Sequence, residues 1–327
     1  MRAVIVTEYG GPEVLEVADV PDPQPGPDEI LVAVAHTACN RADTLQRRGA
    51  YPDPRGPRDH EILGLEFAGE VAAVGERVTL WHVGQPVMGI ESGGCYAELV
   101  ATHERQAMPV PDSVALADAA AIPEVFLTAW DALVVQGGLT SGRWALVHAG
   151  ASGVGTAAIQ IAKAIGARIA VTCSAPKADA CRQLGADLVL ERSPADWRAE
   201  LADAVPGGVD VVLDVIGGDE VNRNLAAVKP QGTIVQVGLM GGGQPQVDLG
   251  RLLVKRVTLI GTALRSRPIE QKVALCQRAI AELLPLFDDG SLRPVIDSRF
   301  AFDDVADAHR RMEADANVGK ILLDVAR

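Results

Sequence analysis

The sequence carries no excess of positive charge. Its 327 residues include 30 Lys and Arg against 43 Asp and Glu, which gives a formal net charge of −13 at pH 7. No basic stripe offsets this balance, so nucleic acid and anionic membrane surfaces, which attract cationic proteins, are not expected as partners.

Long apolar runs and a leader segment are also missing. No stretch reaches the roughly 20 apolar residues that a membrane-spanning helix needs. At the amino terminus, Glu8 follows the apolar residues 3–6 too soon for the core of a signal peptide. These absences predict a cytoplasmic protein.

Cysteine and aromatic residues are few. The five cysteines are Cys39, Cys95, Cys173, Cys181 and Cys276. They are odd in number and show no CxxC spacing, so neither a disulfide framework nor a structural zinc site is expected. Apolar residues nevertheless make up 48% of the chain and charged residues 22%, a composition typical of a globular protein long enough for two domains.

Residues 144–172 form the pattern around which the chain is organised. An apolar run at 144–148 predicts a strand, 156–165 a helix and 168–172 a second strand, which together make a βαβ unit. The loop between the first strand and the helix reads G-x-S-x-x-G and consists of Gly150, Ala151, Ser152, Gly153, Val154 and Gly155. We expect Gly150 to permit a tight turn, Ser152 and Gly153 to let a pyrophosphate approach, and Gly155 to let the helix pack. The pattern predicts a dinucleotide-binding site.

The chain divides into two styles of sequence. Residues 1–108 are β-rich and punctuated by glycine, with one strand predicted at 93–100. From residue 144 strands alternate with helices, one of them at 195–204, which predicts an α/β fold with a Rossmann-type, doubly wound parallel sheet. We predict a β-rich catalytic domain at 1–122, a nucleotide-binding domain at 123–266 and a return to the catalytic domain at 267–327.

The end of the second strand indicates which dinucleotide is bound. An NAD site places an acid there to hold the ribose 2′-OH, whereas this chain continues with Ser174 and Lys177. A serine and a lysine can together hold a 2′-phosphate. Arg192, just past the third strand, can add a second cation. The sequence therefore predicts NADPH as the cofactor.

Several further motifs resemble one family. They are residues 40–43 (Asn-Arg-Ala-Asp), 63–66 (Leu-Gly-Leu-Glu), 120–124 (Ala-Ala-Ile-Pro-Glu) with Thr128, 148–155, 238–240 and 317–320. Together they resemble the medium-chain dehydrogenase/reductase superfamily, in its zinc-free quinone oxidoreductase branch. The resemblance covers nearly the whole chain and implies that the β-rich domain is GroES-like.

The resemblance also implies roles for individual residues. Those expected to line the nicotinamide half of the coenzyme groove are Thr128, Ile216, Gly217, Gly238, Leu239 and Met240. Those expected to close over the cofactor are Leu264, Arg265, Ser266, Asn317 and Lys320. Asn40 and Tyr51 are expected to face the nicotinamide and the substrate carbonyl. Asn40 is equally interpretable as the N-cap of a helix at 41–47, with Asp43 in its first turn.

A catalytic zinc is not expected. Relatives with zinc bind it through thiolates and an imidazole, but here the imidazole position is Leu65 and the second thiolate position is Glu124. Cys39 lies beside the first ligand position, and one thiol cannot build a three-ligand site.

Without a Lewis acid, the substrate expected is one that accepts hydride readily. A quinone does so because the resulting negative charge is delocalised into a forming aromatic ring. The sequence thus predicts an NADPH-dependent quinone reductase. Two alternatives stay open: an enoyl or enone reductase, and an NADPH-binding structural or regulatory protein with little turnover.

Assembly is inferred from the same resemblance. Its members pair through the outer strands of two nucleotide domains. In this chain Val257, Thr258, Leu259 and Ile260 form an apolar run at the expected edge, which would promote aggregation if left uncovered. We therefore expect a homodimer.

Overall fold

A computed structural model of the chain describes residues 1–54, 56, 59–192 and 197–326. The chain divides into two compact units. The first combines Met1–Leu127 with Arg265–Arg327, and the second is Thr128–Leu264.

The elements follow one another along both units. The strands are β1 (Arg2–Val6), β2 (Leu15–Asp19), β3 (Glu29–Cys39), β4 (Glu66–Val74), β5 (Pro86–Ile90), β6 (Leu99–His103), β7 (Met108–Pro109), β8 (Trp144–His148), β9 (Arg168–Cys173), β10 (Leu188–Glu191), β11 (Val209–Asp214), β12 (Val228–Gln236), β13 (Thr258–Gly261), β14 (Ile296–Ala301) and β15 (Lys320–Asp324). The α-helices are α1 (Arg41–Arg47), α2 (Leu116–Ala119), α3 (Pro123–Trp130), α4 (Gly153–Ala164), α5 (Ala178–Gln183), α6 (Trp197–Ala204), α7 (Glu220–Ala227), α8 (Leu249–Lys255), α9 (Ile269–Glu282), α10 (Pro285–Asp288) and α11 (Val305–Glu313).

The first unit is built on a seven-stranded sheet. Its order is β14-β15-β3-β4-β5-β7, with β6 also paired to β3, and β1 and β2 form a separate antiparallel pair. Side chains of Ile30, Val32 and Val34 alternate into the core because successive residues of β3 point to opposite faces. Phe67 and Val71 of β4 meet them there.

The strand predicted at 93–100 is wrong. β6 begins at Leu99, and the preceding residues 91–98 are bends and irregular backbone, with a single β-bridge between Ala97 and Ala3. Gly93 and Gly94 have φ angles of 145° and 93°, a backbone region that L side chains rarely adopt and that an extended strand does not use. The two adjacent glycines therefore keep the start of the predicted strand out of extended geometry, although the apolar residues after them suggested a strand.

The second unit contains a six-stranded sheet in the order β10-β9-β8-β11-β12-β13, and every pairing in it is parallel. The predicted Rossmann fold is confirmed. Chain order runs outward from β8 on one side and from β11 on the other, so the switch point lies between these two strands. In such sheets ligands bind beyond the carboxyl ends of the strands at the switch point.

Observed helix boundaries differ slightly from the predicted ones. The helix expected at 156–165 begins three residues earlier, at Gly153, because the phosphate-loop glycines already have helical geometry. The helix expected at 195–204 is α6, which begins at Trp197; residues 195 and 196 lie outside the described part of the chain. Within the described residues, no helix combines the length and apolarity needed to cross a membrane.

Candidate functional site

The loop between β8 and α4 leads directly into the first turn of the helix. Ser152 is the N-cap of α4, and its Oγ accepts a hydrogen bond from the Gly155 N–H at 3.1 Å. The N–H groups of Gly153 and Val154, in the first turn, have no acceptor within their own helix. They point out of the helix start together with its partial positive charge, an arrangement suited to a phosphate.

Glycine is required in this loop for close packing. A Cβ on Gly155 would lie 2.4 Å from the Ala149 carbonyl oxygen, and one on Gly150 would lie 2.5 Å from Cβ of Val171. The turn was expected to depend on the backbone freedom of Gly150, but the positive φ lies at Ala149, with 57°. Gly150 therefore serves to bring the loop against β9, and its N–H donates to the Thr172 carbonyl oxygen at 2.9 Å.

The ends of β9 and β10 bring together the residues predicted to select the dinucleotide. Cys173 pairs with Glu191 in the parallel register, and the Arg192 N–H donates to the Cys173 carbonyl oxygen at 2.8 Å. Ser174 and Arg192 thus follow neighbouring strands, and both are exposed. Lys177 ends the single turn Ala175–Lys177 that comes next. No carboxylate occupies the end of β9 itself.

The loops after β11 and β12 lie side by side. The Gly241 N–H donates to the Ile216 carbonyl oxygen at 2.6 Å, and the Gly238 N–H donates to the Asp214 carbonyl oxygen at 3.4 Å. Leu239 and Met240 are 58% and 48% exposed. This end of the sheet therefore presents apolar side chains on a backbone that the two loops stabilise together.

A buried charged cluster occupies the first unit. The Lys320 Nζ donates to the Cys39 carbonyl oxygen at 2.9 Å, to Asn40 Oδ1 at 2.7 Å and to Glu66 Oε1 at 2.7 Å. Asn40 Nδ2 also donates to Glu66 Oε1, at 2.9 Å, and the other carboxylate oxygen accepts the Glu124 N–H at 2.8 Å. All three Lys320 donors are used, so in this structure Lys320 and Asn40 hold each other and Glu66.

Asp43 links this cluster to a second buried line of polar groups. Its Oδ2 accepts the Asn40 N–H at 2.8 Å and the Tyr96 hydroxyl at 2.9 Å. The Tyr96 hydroxyl also lies 3.3 Å from His309 Nε2, and the Arg47 guanidinium lies 3.0 Å from His309 Nδ1. Burial raises the pKa of Asp43 to about 6, whereas burial and Arg47 lower the pKa of His309 to about 3. The His309 imidazole is therefore neutral. Asn40 is the N-cap of α1 and Asp43 lies in its first turn, as predicted.

Replacing Asp43 by asparagine should change how stability depends on pH. Because burial raises the pKa of Asp43 above its ordinary 3.8, the folded state binds the proton more tightly than the unfolded state, and ionisation destabilises the fold as pH rises from about 4 through 6. The free energy of unfolding of the wild type, relative to Asp43→Asn, should fall by about 2 kcal/mol between pH 4 and pH 7.5. Denaturant unfolding at several pH values measures this. The control is Asp303→Asn, since Asp303 is exposed; parallel curves for wild type and Asp43→Asn would contradict the prediction.

Tyr51 is fixed by Arg265. The guanidinium of Arg265 lies over the Tyr51 ring at 4.9 Å and donates to the Tyr51 carbonyl oxygen at 3.2 Å. It also donates to Gln46 Oε1 and to the Ser92 carbonyl oxygen, both at 2.7 Å. In the described part of the chain, nothing accepts a hydrogen bond from the Tyr51 hydroxyl. Arg265 thus orients Tyr51 and leaves its hydroxyl available to a ligand.

The other residues expected to close over the cofactor have separate positions. Leu264 ends the second unit and is buried, whereas Ser266 lies in the first unit and is exposed. Asn317 Nδ2 donates to the Gly319 carbonyl oxygen at 2.9 Å, within the loop that precedes β15. Thr128 is the first residue of the second unit and is 6% exposed.

The residues at the expected zinc position do not suit a metal. Leu65 is buried and has no donor atom. Cys39 is a buried thiol whose pKa burial raises to about 12, and a single thiol beside Leu65 does not make up a three-ligand site. Across the described ranges, no group of three or more His, Cys, Asp or Glu side chains is arranged to hold a metal ion.

Comparison with known proteins shows the family. The description "Alcohol dehydrogenase GroES-like domain" matches residues 26–112, and "Zinc-binding dehydrogenase" matches residues 153–279. The quinone oxidoreductase of Pseudomonas aeruginosa is 35% identical over 322 residues, which cover 96% of this chain and 97% of the relative. The chain belongs to the medium-chain dehydrogenase/reductase superfamily. The predicted family and the GroES-like domain are confirmed.

Two other members of the superfamily are similarly related. The human synaptic vesicle membrane protein VAT-1 homolog is 31% identical over 340 residues, covering 99% of this chain and 86% of the relative. A mycobacterial protein whose structure was solved in complex with NADPH aligns with a TM-score of 0.89 and 31% identity, covering 99% of this chain and all of that one. These similarities identify the chain as an oxidoreductase of this superfamily.

Sequence reasoning missed the charged cluster as a unit. Glu66 and Lys320 were noticed only as members of separate motifs, 254 residues apart. One signal was present: Glu66 opens a strand whose next residues are apolar, and an acid in such a position needs a cation. The sequence did not indicate which of 30 Lys and Arg supplies it.

Proposed function

We propose that this protein is an NADPH-dependent quinone reductase that works without zinc. The observation that carries the proposal is the end of β9, where Ser174 and Lys177 occupy the position of the ribose-binding acid. The name of the Pseudomonas aeruginosa relative and the NADPH bound to the mycobacterial relative support it. The buried cysteine thiols favour a reducing, cytoplasmic compartment.

The second unit supplies the coenzyme groups. The Gly153 and Val154 N–H groups at the start of α4 would bind the pyrophosphate. Gly150 and Gly155 let the loop pack against Val171 and against its own backbone, where a Cβ would clash. Ser174 would donate to the 2′-phosphate, and Lys177 would neutralise it. NADPH, once bound, supplies the hydride.

Tyr51 and Glu124 are the candidate groups for the substrate oxygen. The Tyr51 hydroxyl, oriented by Arg265, would donate a hydrogen bond to the oxygen that becomes negative during reduction. Burial raises the pKa of Glu124 to about 7, and the Glu66 carboxylate adds to the effect. At neutral pH much of Glu124 is therefore protonated, and this half-buried residue would release a proton to the reduced substrate. Asn40, whose donors are used by Glu66 and the Ala38 carbonyl oxygen, would position the adjoining backbone.

A coenzyme and acceptor panel tests the proposal. NADPH oxidation should be rapid with benzoquinones and naphthoquinones, and kcat/KM should be higher with NADPH than with NADH. Equal or higher kcat/KM with NADH would contradict the coenzyme assignment. Tight NADPH binding without reduction of any acceptor would instead favour an NADPH-binding structural or regulatory protein.

One observation favours a second candidate, an enone or enoyl reductase. Reduction of an activated C=C bond leaves a carbanion that must be protonated, and Glu124 offers a carboxyl with a pKa of about 7. Including enones in the panel separates the two activities. Higher kcat/KM with enones than with quinones would establish the second candidate.

We further propose a homodimer that pairs the β13 edges of two chains. Among the described strands β13 pairs only with β12, which leaves its other edge without a strand. Leu253 and Val254 of the adjoining α8 are 74% and 78% exposed. Light scattering should give twice the mass of the chain, and Val254→Asp should shift the protein toward monomer. Val83→Asp is the control, because Val83 is 65% exposed and lies in the first unit. A monomeric wild type would contradict the proposal.

A further inference from the structure

A line of buried polar side chains crosses the carboxyl ends of the strands in the second unit. Thr172 lies on β9, His148 ends β8, Asn224 lies on α7 and Asp214 ends β11. Each is 2% exposed or less. Buried polar groups are stable only when hydrogen-bonded, so their partners determine how they are oriented.

The four side chains form one continuous chain of hydrogen bonds. Thr172 Oγ1 lies 2.9 Å from His148 Nδ1, and His148 Nε2 lies 2.8 Å from Asn224 Oδ1. Asn224 Nδ2 donates to Asp214 Oδ2 at 2.9 Å. The other carboxylate oxygen of Asp214 accepts the backbone N–H groups of Ile216 at 2.6 Å and Gly217 at 3.0 Å.

The carboxylate at one end determines every proton position along this line. Asp214 only accepts, so Asn224 must present its NH2 group to it and its carbonyl oxygen to His148. His148 must then donate from Nε2, and the Nδ1 lone pair of the neutral ring accepts the Thr172 hydroxyl. Edge contact with the Trp197 ring, at a centroid distance of 5.4 Å, fixes the imidazole plane.

Both ends of the line belong to loops of the proposed coenzyme site. Thr172 also accepts the Gly150 N–H through its carbonyl oxygen, at 2.9 Å, and so holds the phosphate loop. Asp214 holds the Ile216–Gly217 backbone, and its own carbonyl oxygen accepts the Val237 N–H at 2.7 Å. The line thus connects the phosphate loop to the loop expected to contact the nicotinamide.

We propose that His148 is a positioning residue for the nicotinamide half of the coenzyme, acting through Asn224 and Asp214 on the Ile216–Gly217 backbone. The inference rests on the proposed function. His148 holds the loop after β11 in one conformation by linking it to the phosphate loop. NADPH then binds to a backbone that is already in place. Loss of the line should weaken binding of the nicotinamide half and leave the adenosine half unaffected.

A binding comparison tests this split. The matched probes are NADPH and adenosine 2′,5′-bisphosphate, which lacks the nicotinamide half. His148→Leu should weaken NADPH binding about tenfold, the value of one lost hydrogen bond in a buried network, and change the bisphosphate affinity less than about twofold. Equal weakening of both probes, or none, would overturn the inference. Failure of the wild type to bind either probe would instead overturn the proposed function.

A second measurement needs no coenzyme. Amide hydrogen exchange at Ile216 and Gly217 should accelerate in His148→Leu and in the near-isosteric Thr172→Val. The control is Thr102→Val, because Thr102 is buried and its hydroxyl has no hydrogen-bond partner among the described residues. Nitrogen chemical shifts of the wild-type imidazole should show the proton on Nε2. If His148→Leu does not fold, exchange in Thr172→Val and the nitrogen shifts of the wild type still test the inference. Unchanged amide exchange at Ile216 and Gly217, or a proton on Nδ1 in place of Nε2, would overturn it.

Discussion

Replacing Lys177 by alanine should lower kcat/KM with NADPH about 10- to 100-fold and leave kcat/KM with NADH nearly unchanged. A hydrogen bond between an ammonium and a phosphate is charge-assisted and contributes about 1.5–3 kcal/mol, which corresponds to this range. The 2′-phosphate is the only group that distinguishes the two coenzymes, so the effect should be confined to NADPH. Steady-state kinetics with both coenzymes and one quinone measures it.

A matched control separates this effect from a general loss of positive charge. Lys163 lies in the same unit, on α4, and pairs with Asp187 at 2.7 Å, so Lys163→Ala should change neither value appreciably. Adding Ser174→Asp to Lys177→Ala should raise kcat/KM with NADH, because the new carboxylate can accept the ribose 2′-OH. An equal loss with both coenzymes would contradict the assignment of Lys177 to the 2′-phosphate.

Lys320→Met should destabilise the protein by about 3–5 kcal/mol. The ammonium of Lys320 lies 2.7 Å from Glu66 Oε1, and the two side chains are 4% and 0% exposed. Removing the cation leaves a carboxylate buried without its counter-charge, which costs far more than the pair itself contributes. Denaturant unfolding at pH 7 measures the change.

The same substitution at a surface pair gives the comparison. The Lys163–Asp187 pair has the same 2.7 Å length, but its side chains are 41% and 29% exposed. Lys163→Met should therefore cost only about 0–1 kcal/mol. Adding Glu66→Gln to Lys320→Met should restore part of the stability, because neither position of the former pair then carries a charge. A double variant no more stable than Lys320→Met would contradict this explanation.

The second unit was more predictable than the first. The run 144–148 and the glycines of the phosphate loop depend on neighbours within a few residues, so the sequence located β8 and α4 with errors of three residues or fewer. Parallel pairing also followed from the alternation of strands and helices. The register that places Arg192 beside Cys173 required the structure, because no local pattern specifies it.

The sequence predicted which residues belong to the candidate site, but it did not predict which of them contact one another. Asn40 was recognised as a helix cap with Asp43, a relation across three residues, but its bond to Lys320 joins positions 280 residues apart. Arg265 was assigned to the coenzyme by resemblance, and the structure shows its guanidinium against Tyr51. Long-range pairings of this kind are selected by burial and charge in the folded chain, and a single sequence does not contain that information.

The Lys320 ammonium limits what directed evolution can make of this protein. An imidazole at Leu65 and a thiolate at Asn40, the residue next to Cys39, would supply ligand types familiar from metalloenzymes, but Lys320 donates directly to the Asn40 side chain. A divalent ion introduced there would meet a resident cation of like sign, in a medium that screens charge poorly. Metal binding there would have to displace the Lys320 ammonium from the position 40 side chain, so the conversion needs more than new metal ligands.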